Sequence, residues 1–184
     1  MSYSMEIAGL RRELPLCRVS DDLMIAGFVI FGDPELTVAC GAALNKLAPE
    51  HDYMITAEAK GIPLIHEMAR QAGEKTYFLA RKSPKLYMRE VFSVEVNSIS
   101  TSVIQRLYLD ADDAARLRGK RILIVDDVAS TGESIRAVEQ LIEKAGGTVC
   151  GRMAILAEGE ARERDDLIYL EPLPVFNGDG TPKD

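Results

Sequence analysis

The sequence predicts an α/β fold, a mostly parallel central sheet flanked by helices, and three observations carry that prediction. Short apolar runs alternate with amphipathic stretches along most of the chain. No internal repeat is present. One segment, residues 91–109, breaks the alternation and reads as an insertion. Such alternation marks βαβ units, in which each helix covers a sheet face and returns the chain for the next parallel strand.

Buried strands are expected at residues 53–56, 76–80, 121–125, 148–156 and 167–170, where β-branched and other apolar residues run together. Residues 34–47, 62–71 and 133–145 have helical spacing; in the last, Ile135, Val138, Leu141 and Ile142 share one face. Gly146-Gly147 should stop that helix. In the inserted segment Phe92, Val94 and Val96 alternate with Ser93, Glu95 and Asn97, the pattern of an antiparallel hairpin set between two parallel strands. Residues 177–184 are polar and rich in Gly and Pro, so a frayed tail is expected there.

At 184 residues the chain suits a single domain with a sizeable core, and 47% hydrophobic and 28% charged residues lie in the ordinary globular range. No apolar run approaches the ~20 residues of a membrane helix, and the N-terminus lacks an apolar stretch of signal-peptide length. Cys17, Cys40 and Cys150 are isolated and odd in number, which suits small buried hydrophobes in a reducing cytoplasm. His51 and His66 have no partners at ligand or triad spacing. A net charge of -7 argues against a nucleic-acid surface, so any anion site must be local.

The informative segment is residues 121–134, RILIVDDVASTGES. A β-branched strand ends in two carboxylates, then small and hydroxylated residues, then a helix. In an open α/β sheet ligands bind at the carboxyl ends of the strands, and a helix N-terminus offers unpaired N–H groups to an anion. Ala129, Ser130, Thr131 and Gly132 are small enough for the backbone to close on one phosphate, and Ser130, Thr131 and Ser134 add hydroxyl donors. Asp126 and Asp127 would repel that phosphate unless they accept hydrogen bonds from sugar hydroxyls or bind a cation. A ribose 5-phosphate meets both needs. The Gly-Lys-Ser/Thr ending of a nucleotide P-loop and the three-glycine turn of a dinucleotide site are both missing.

VDDVASTGES resembles the phosphoribosyl pyrophosphate signature of type I phosphoribosyltransferases. The resemblance implies that Asp126 and Asp127 hold the ribose hydroxyls, while Ala129, Ser130, Thr131, Gly132, Glu133 and Ser134 wrap the 5-phosphate. Glu133 departs from the family, which commonly has glycine or another small residue there. Residues 56–61, TAEAKG, are similar to the family's pyrophosphate loop, implying roles for Ala59 and Lys60 and a strained peptide link at Ala59–Lys60; an ordinary surface turn is the alternative. Arg81, Lys82, Lys85 and Arg89 concentrate positive charge within nine residues. The resemblance assigns Arg81, Lys82 and Lys85 to pyrophosphate, against the alternative of a solvated charge run. Ser93-Val94-Glu95 is similar to the Ser-Leu-Glu of adenine phosphoribosyltransferases. Glu95 is thus a catalytic candidate alongside Asp126 and Asp127, or else a polar position on an exposed hairpin face.

The resemblance further implies the type I fold, with residues 82–109 as a flexible lid and residues 1–20 with 157–176 as a small hood over the base. The expected reaction transfers ribose 5-phosphate from phosphoribosyl pyrophosphate to a nitrogenous base and releases pyrophosphate. Mg2+ would be bound mainly through phosphoribosyl pyrophosphate, with no direct protein ligand assigned, and the enzyme would be a homodimer without nucleic-acid or membrane partners. A purine is the expected base, adenine ahead of xanthine, guanine and hypoxanthine, although GFVIFGDPE replaces the Phe-Arg-Asp stretch of typical adenine enzymes. The competing class is a regulator that binds phosphoribosyl pyrophosphate without turning it over. Lys60, Lys82, Lys85 and Glu95 favour an enzyme, since a sensor needs only the cradle.

Overall fold

The computed structural model describes residues 1–88, 91–97 and 104–183. Three strands open the chain, β1 (Ser2–Ile7), β2 (Leu10–Ser20) and β3 (Leu23–Ala26), followed by α1 (Pro34–Asn45). Next come β4 (Tyr53–Ala57), α2 (Ile62–Ala72), β5 (Phe78–Ala80) and a hairpin of β6 (Val91–Asn97) with β7 (Ile104–Asp110). Then follow α3 (Ala111–Leu117), β8 (Arg121–Ala129), α4 (Glu133–Ala145) and β9 (Thr148–Glu158). A 3-10 turn at Gly159–Glu163 leads to β10 (Ile168–Leu173), and β11 (Val175–Phe176) and β12 (Pro182–Lys183) close the chain.

The central sheet has the order β10-β9-β8-β4-β5, with every neighbouring pair parallel. Its strands are apolar throughout because both faces are covered. The period of two along β8 sends Leu123 and Val125 into one core with Leu36, Cys40 and Leu44 of α1 and Leu64, Ile65 and Met68 of α2. Ile122 and Ile124 enter a second core with Ile135, Val138, Leu141 and Ile142 of α4. Helix ends follow local chemistry. Asp33 caps α1 by accepting from the Leu36 N–H at 3.0 Å, with Pro34 in the first turn. α4 ends at Ala145, where Gly147 N–H reaches the Ile142 carbonyl at 3.0 Å.

The second sheet is antiparallel, in the order β1-β2-β3-β11-β12. Residues 1–20 of the expected hood supply its β1 and β2, but the expected C-terminal part mostly goes elsewhere. Of 157–176 only Val175–Phe176 joins it; Ile168–Leu173 is an edge strand of the parallel sheet. The reason is in the side chains: Ile168 and Leu170 pack against one core and Tyr169 against the other, so both faces of β10 are covered. The tail also departs from expectation. Residues 177–183 fold back, with Asn177 N–H bonding the Thr181 carbonyl at 2.8 Å and Asp179 Oδ1 accepting from Thr181 N–H at 2.9 Å. The polar residues that read as fraying are the turn's own hydrogen-bonding groups.

Cys17 is exposed on β2, contrary to the expectation that all three thiols are buried. Cys40 is buried, and desolvation pushes its thiol up to about 12. His51 is structural, lying between the Pro49 carbonyl and Glu74 Oε1 at 2.7 and 2.9 Å. Among the described residues no helix is long and apolar enough to cross a membrane.

Phe176 ties the second sheet to the core: it is 1% exposed and meets Tyr3 edge-on, with ring centroids 5.0 Å apart. Phe176→Ala should therefore lower the unfolding free energy by about 3–5 kcal/mol in urea titration. A loss below ~1 kcal/mol would show that the returning C-terminal strand is dispensable.

Candidate active site

The site lies where β5, β4, β8 and β9 end together. β8 continues to Ala129, four residues past the predicted end, so the acid pair lies within a paired strand, with Asp126 opposite Ala154 and Ala129 opposite Ala157. The two acids stay within reach of each other, and the Asp127 N–H donates to Asp126 Oδ1 at 2.9 Å. Asp126 lines a cavity of about 90 Å³ together with Ala129, Ser130, Thr131, Gly132, Glu133 and Ser134. Asp127, 3% exposed, faces Lys60 in the β4–α2 loop, whose Nζ lies 2.8 Å from Oδ2. That ammonium approaches at ion-pair distance without a hydrogen-bond direction, leaving Oδ2 buried and without a directional donor.

The cradle is shaped by backbone. Gly132 holds a left-handed φ of 74° at the start of α4, a conformation that lets the chain turn out of the loop into the helix. Having no side chain, it makes no capping bond to the first turn, whose Glu133 and Ser134 line the cavity. Thr131 Oγ1 accepts from Glu133 N–H at 3.5 Å, so its own O–H remains available as a donor. Glu133, the departure noted in the sequence, stands in the first turn, where its charge suits the helix dipole.

In the β4–α2 loop a cis peptide bond joins Glu58 and Ala59. The expected special link at Ala59–Lys60 is therefore displaced by one residue towards the N-terminus. Gly61 is required by close approach, since a Cβ there would come within 2.1 Å of the buried Thr56 Oγ1. The structure brings Lys60 to the acid pair, but Arg81 and Lys85 go elsewhere. Arg81 Nε lies 3.5 Å and Lys85 Nζ 3.9 Å from the Glu58 carboxylate, and the Lys82 backbone N–H donates to it at 3.1 Å. Arg89 lies outside the described residues.

Glu95 pairs with Arg106 across the hairpin, and its side chain, like residues 98–103 of the expected lid, lies outside the described residues. The hairpin rests on the last turn of α4, where Lys144 Nζ donates to the Ser93 carbonyl at 2.6 Å. A 13-residue helix spans about 20 Å, so Ser93 stands at the far end of α4 from the cradle.

Two residues of the site were not singled out from the sequence. Glu58 sits inside the quoted TAEAKG and organises the basic segment. Glu158 ends β9, one residue past the partner of Ala129, and is 9% exposed. Burial raises the Glu158 carboxyl, against the lowering effects of Ser130 and Lys60. Its signal was available: another buried strand running into a carboxylate and a glycine, Ala157-Glu158-Gly159.

A strand-end acid pair, a one-phosphate cradle and a basic loop face one crevice, and the comparisons agree with that geometry. Residues 41–176 match the family described as "Phosphoribosyl transferase domain". The chain belongs to this family. It is 28% identical over 148 residues to an adenine phosphoribosyltransferase of Kosmotoga olearia, covering 79% of this chain and 78% of that one. It is 31% identical over 152 residues to a xanthine phosphoribosyltransferase of Lactobacillus delbrueckii subsp. bulgaricus, covering 77% of each. An adenine phosphoribosyltransferase structure from Thermoanaerobacter pseudethanolicus superimposes with a TM-score of 0.65 at 25% identity, covering 78% and 84% of the two chains. This protein is thus a phosphoribosyltransferase of the type I fold.

The enzyme holds Asp126 against its charge. Desolvation first, then the Asp127 carboxylate, pushes its carboxyl up to about 7. A carboxyl whose folded pKa lies above its unfolded value binds more protons when folded, so its contribution to stability falls as pH rises from about 4 to about 7. Asp126→Asn removes that ionisation. Relative to wild type the variant should be more stable at pH 8 than at pH 5 by about 1–3 kcal/mol in paired urea titrations, and no difference between the two pH values would place Asp126 in contact with solvent.

Proposed function

We propose that this phosphoribosyltransferase uses phosphoribosyl pyrophosphate and a purine, with adenine the leading base. The observation that carries the proposal is Asp126 lining a small cavity with the loop from Ala129 to Ser134, next to Asp127, which Lys60 pairs. The similar proteins named above act, by their names, on adenine and xanthine, which supports a purine.

In this reading N–H groups at the start of α4 and the Thr131 hydroxyl hold the 5-phosphate, while Asp126 and Asp127 accept from the ribose hydroxyls. A ring nitrogen of the base attacks C1, the bond from C1 to the pyrophosphate oxygen breaks, and positive charge develops on the sugar. Ala59, Lys60, Arg81, Lys82 and Lys85 take the departing pyrophosphate. Lys60 must first leave Asp127, and Arg81 and Lys85 must leave Glu58. Glu95 receives the proton of the base once residues 82–109 close over the site as a lid, which excludes water from the charged sugar. Among the described residues no three metal-type side chains cluster. An Mg2+ ion would accordingly take its ligands mainly from substrate phosphates and water, near Asp126 and Asp127, and supply positive charge to the leaving group. A homodimer working in the cytoplasm completes the proposal.

Incubation with phosphoribosyl pyrophosphate, Mg2+ and a panel of bases should release pyrophosphate, fastest with adenine. Binding without release for any base would instead identify a regulator. Thr131→Val should weaken ribose 5-phosphate binding by about 1.5–3 kcal/mol in calorimetry, because a donor to a charged group is lost with little change of shape. Undiminished affinity would remove Thr131 from the cradle.

A further inference from the structure

The cradle is shaped for an anion, yet the charged side chains that line it, Asp126 and Glu133, are both acidic. Backbone N–H groups and hydroxyls alone would have to hold a phosphate against them. The cations of the neighbouring loops are engaged elsewhere, Lys60 with Asp127, and Arg81 and Lys85 with Glu58. One further cation stands against the loop. A Cβ on Gly132, a residue of the cavity wall, would come within 2.6 Å of Arg164 Nη1. Gly132 is therefore glycine for two reasons, its φ of 74° and a guanidinium that lies where a side chain would start.

Arg164 follows the 3-10 turn at Gly159–Glu163, and the buried Ala161 and Leu167 on either side of it share a core with Ile135 in the first turn of α4. The guanidinium is thus carried by a segment fixed in the same core as the helix that the cradle opens. Its Nε and Nη2 donate to the two Asp166 oxygens, both at 2.9 Å, and its side chain is 22% exposed. This fork fixes the plane of the group and uses only one edge of it. Nη1 meets no acceptor among the described residues, and an arginine keeps its charge at any working pH. We propose that Arg164 is a phosphate-binding residue of the cradle: Asp166 orients it, and Nη1 is the donor it holds ready for the 5-phosphate. This rests on the reading of the cavity as the 5-phosphate site and adds to it the cation that the loop itself lacks.

The test is calorimetric titration of ribose 5-phosphate into the wild type, Arg164→Ala, Arg164→Gln, Arg164→Lys and Asp166→Ala, with an unfolding curve recorded for each. Loss of a charge-assisted hydrogen bond should weaken binding about 10–100-fold in the alanine and glutamine variants of Arg164. Lysine keeps the charge without the fork, so its affinity should fall between theirs and that of the wild type. Asp166→Ala breaks the same ion pair but leaves the cation, and should bind close to the wild type. An Asp166→Ala variant as weak as Arg164→Ala would show that the pair only braces the turn, and overturns the inference. So do an Arg164→Ala variant as tight as wild type and a lysine variant no tighter than glutamine. Should Arg164→Ala fail to fold, the glutamine and lysine variants decide the matter by the same comparison. A wild type that takes up no ribose 5-phosphate overturns the cradle reading itself, whereas a wild type that binds it with Arg164 indifferent overturns this inference alone.

Discussion

Everything at this site follows from the way parallel strands bring like charges together at one edge. β8 carries Asp126 and Asp127 near its carboxyl end, and β9, its neighbour, ends in Glu158. The strands that carry these acids are buried on both faces. A low-dielectric crevice holding three acids is tenable only if some are neutralised by neighbours or by protons. Lys60 serves Asp127, and burial makes Asp126 and Glu158 hold their protons more tightly. The loops from β4 and β8 converge because each supplies one of these groups. An electrostatic need at the sheet's edge thus fixes the loop geometry, and the two hydrophobic cores supply the rigidity against which it acts.

Most of the central fold was legible because its determinants are local. α4 falls on residues 133–145 as its apolar spacing and Gly146-Gly147 require, and strands 53–56 and 121–125 appear with the expected starts. The hairpin was visible in the alternation of Phe92 and Val94 with Ser93. The second sheet was not legible in the same way, since its strands are joined over more than 150 residues and no local pattern states which sheet a strand enters. Only the packing of Tyr169 opposite to Ile168 and Leu170 reveals that β10 belongs to the parallel sheet.

The candidate site divides along the same line. Asp126 and the loop from Ala129 to Ser134 gather around one cavity because they are contiguous, and contiguity can be read. Partnerships across the fold could not be. That Lys60 would face Asp127 and that Glu58 would gather Arg81 and Lys85 depend on strand order. In the sequence Glu58 is one letter of TAEAKG and Glu158 the acid after an apolar run. Each gains meaning only from the neighbour that the sheet provides.

Glu58 has a broader consequence. In the proposed reading, Arg81 and Lys85 lodged against Glu58 and Lys60 against Asp127 are held by internal stand-ins for a pyrophosphate, in a chain with a net charge of -7. Entry of a polyanion is then an exchange of one set of counter-charges for another. A single stray phosphate can displace few of these contacts, whereas a ligand with several phosphate groups can displace them together. Release reverses the trade, as carboxylates already in place reclaim their cations and ease the departing anion into water. In that reading, discrimination by number of charges and a site that does not stay clogged with its own product would both follow from one glutamate in the β4–α2 loop.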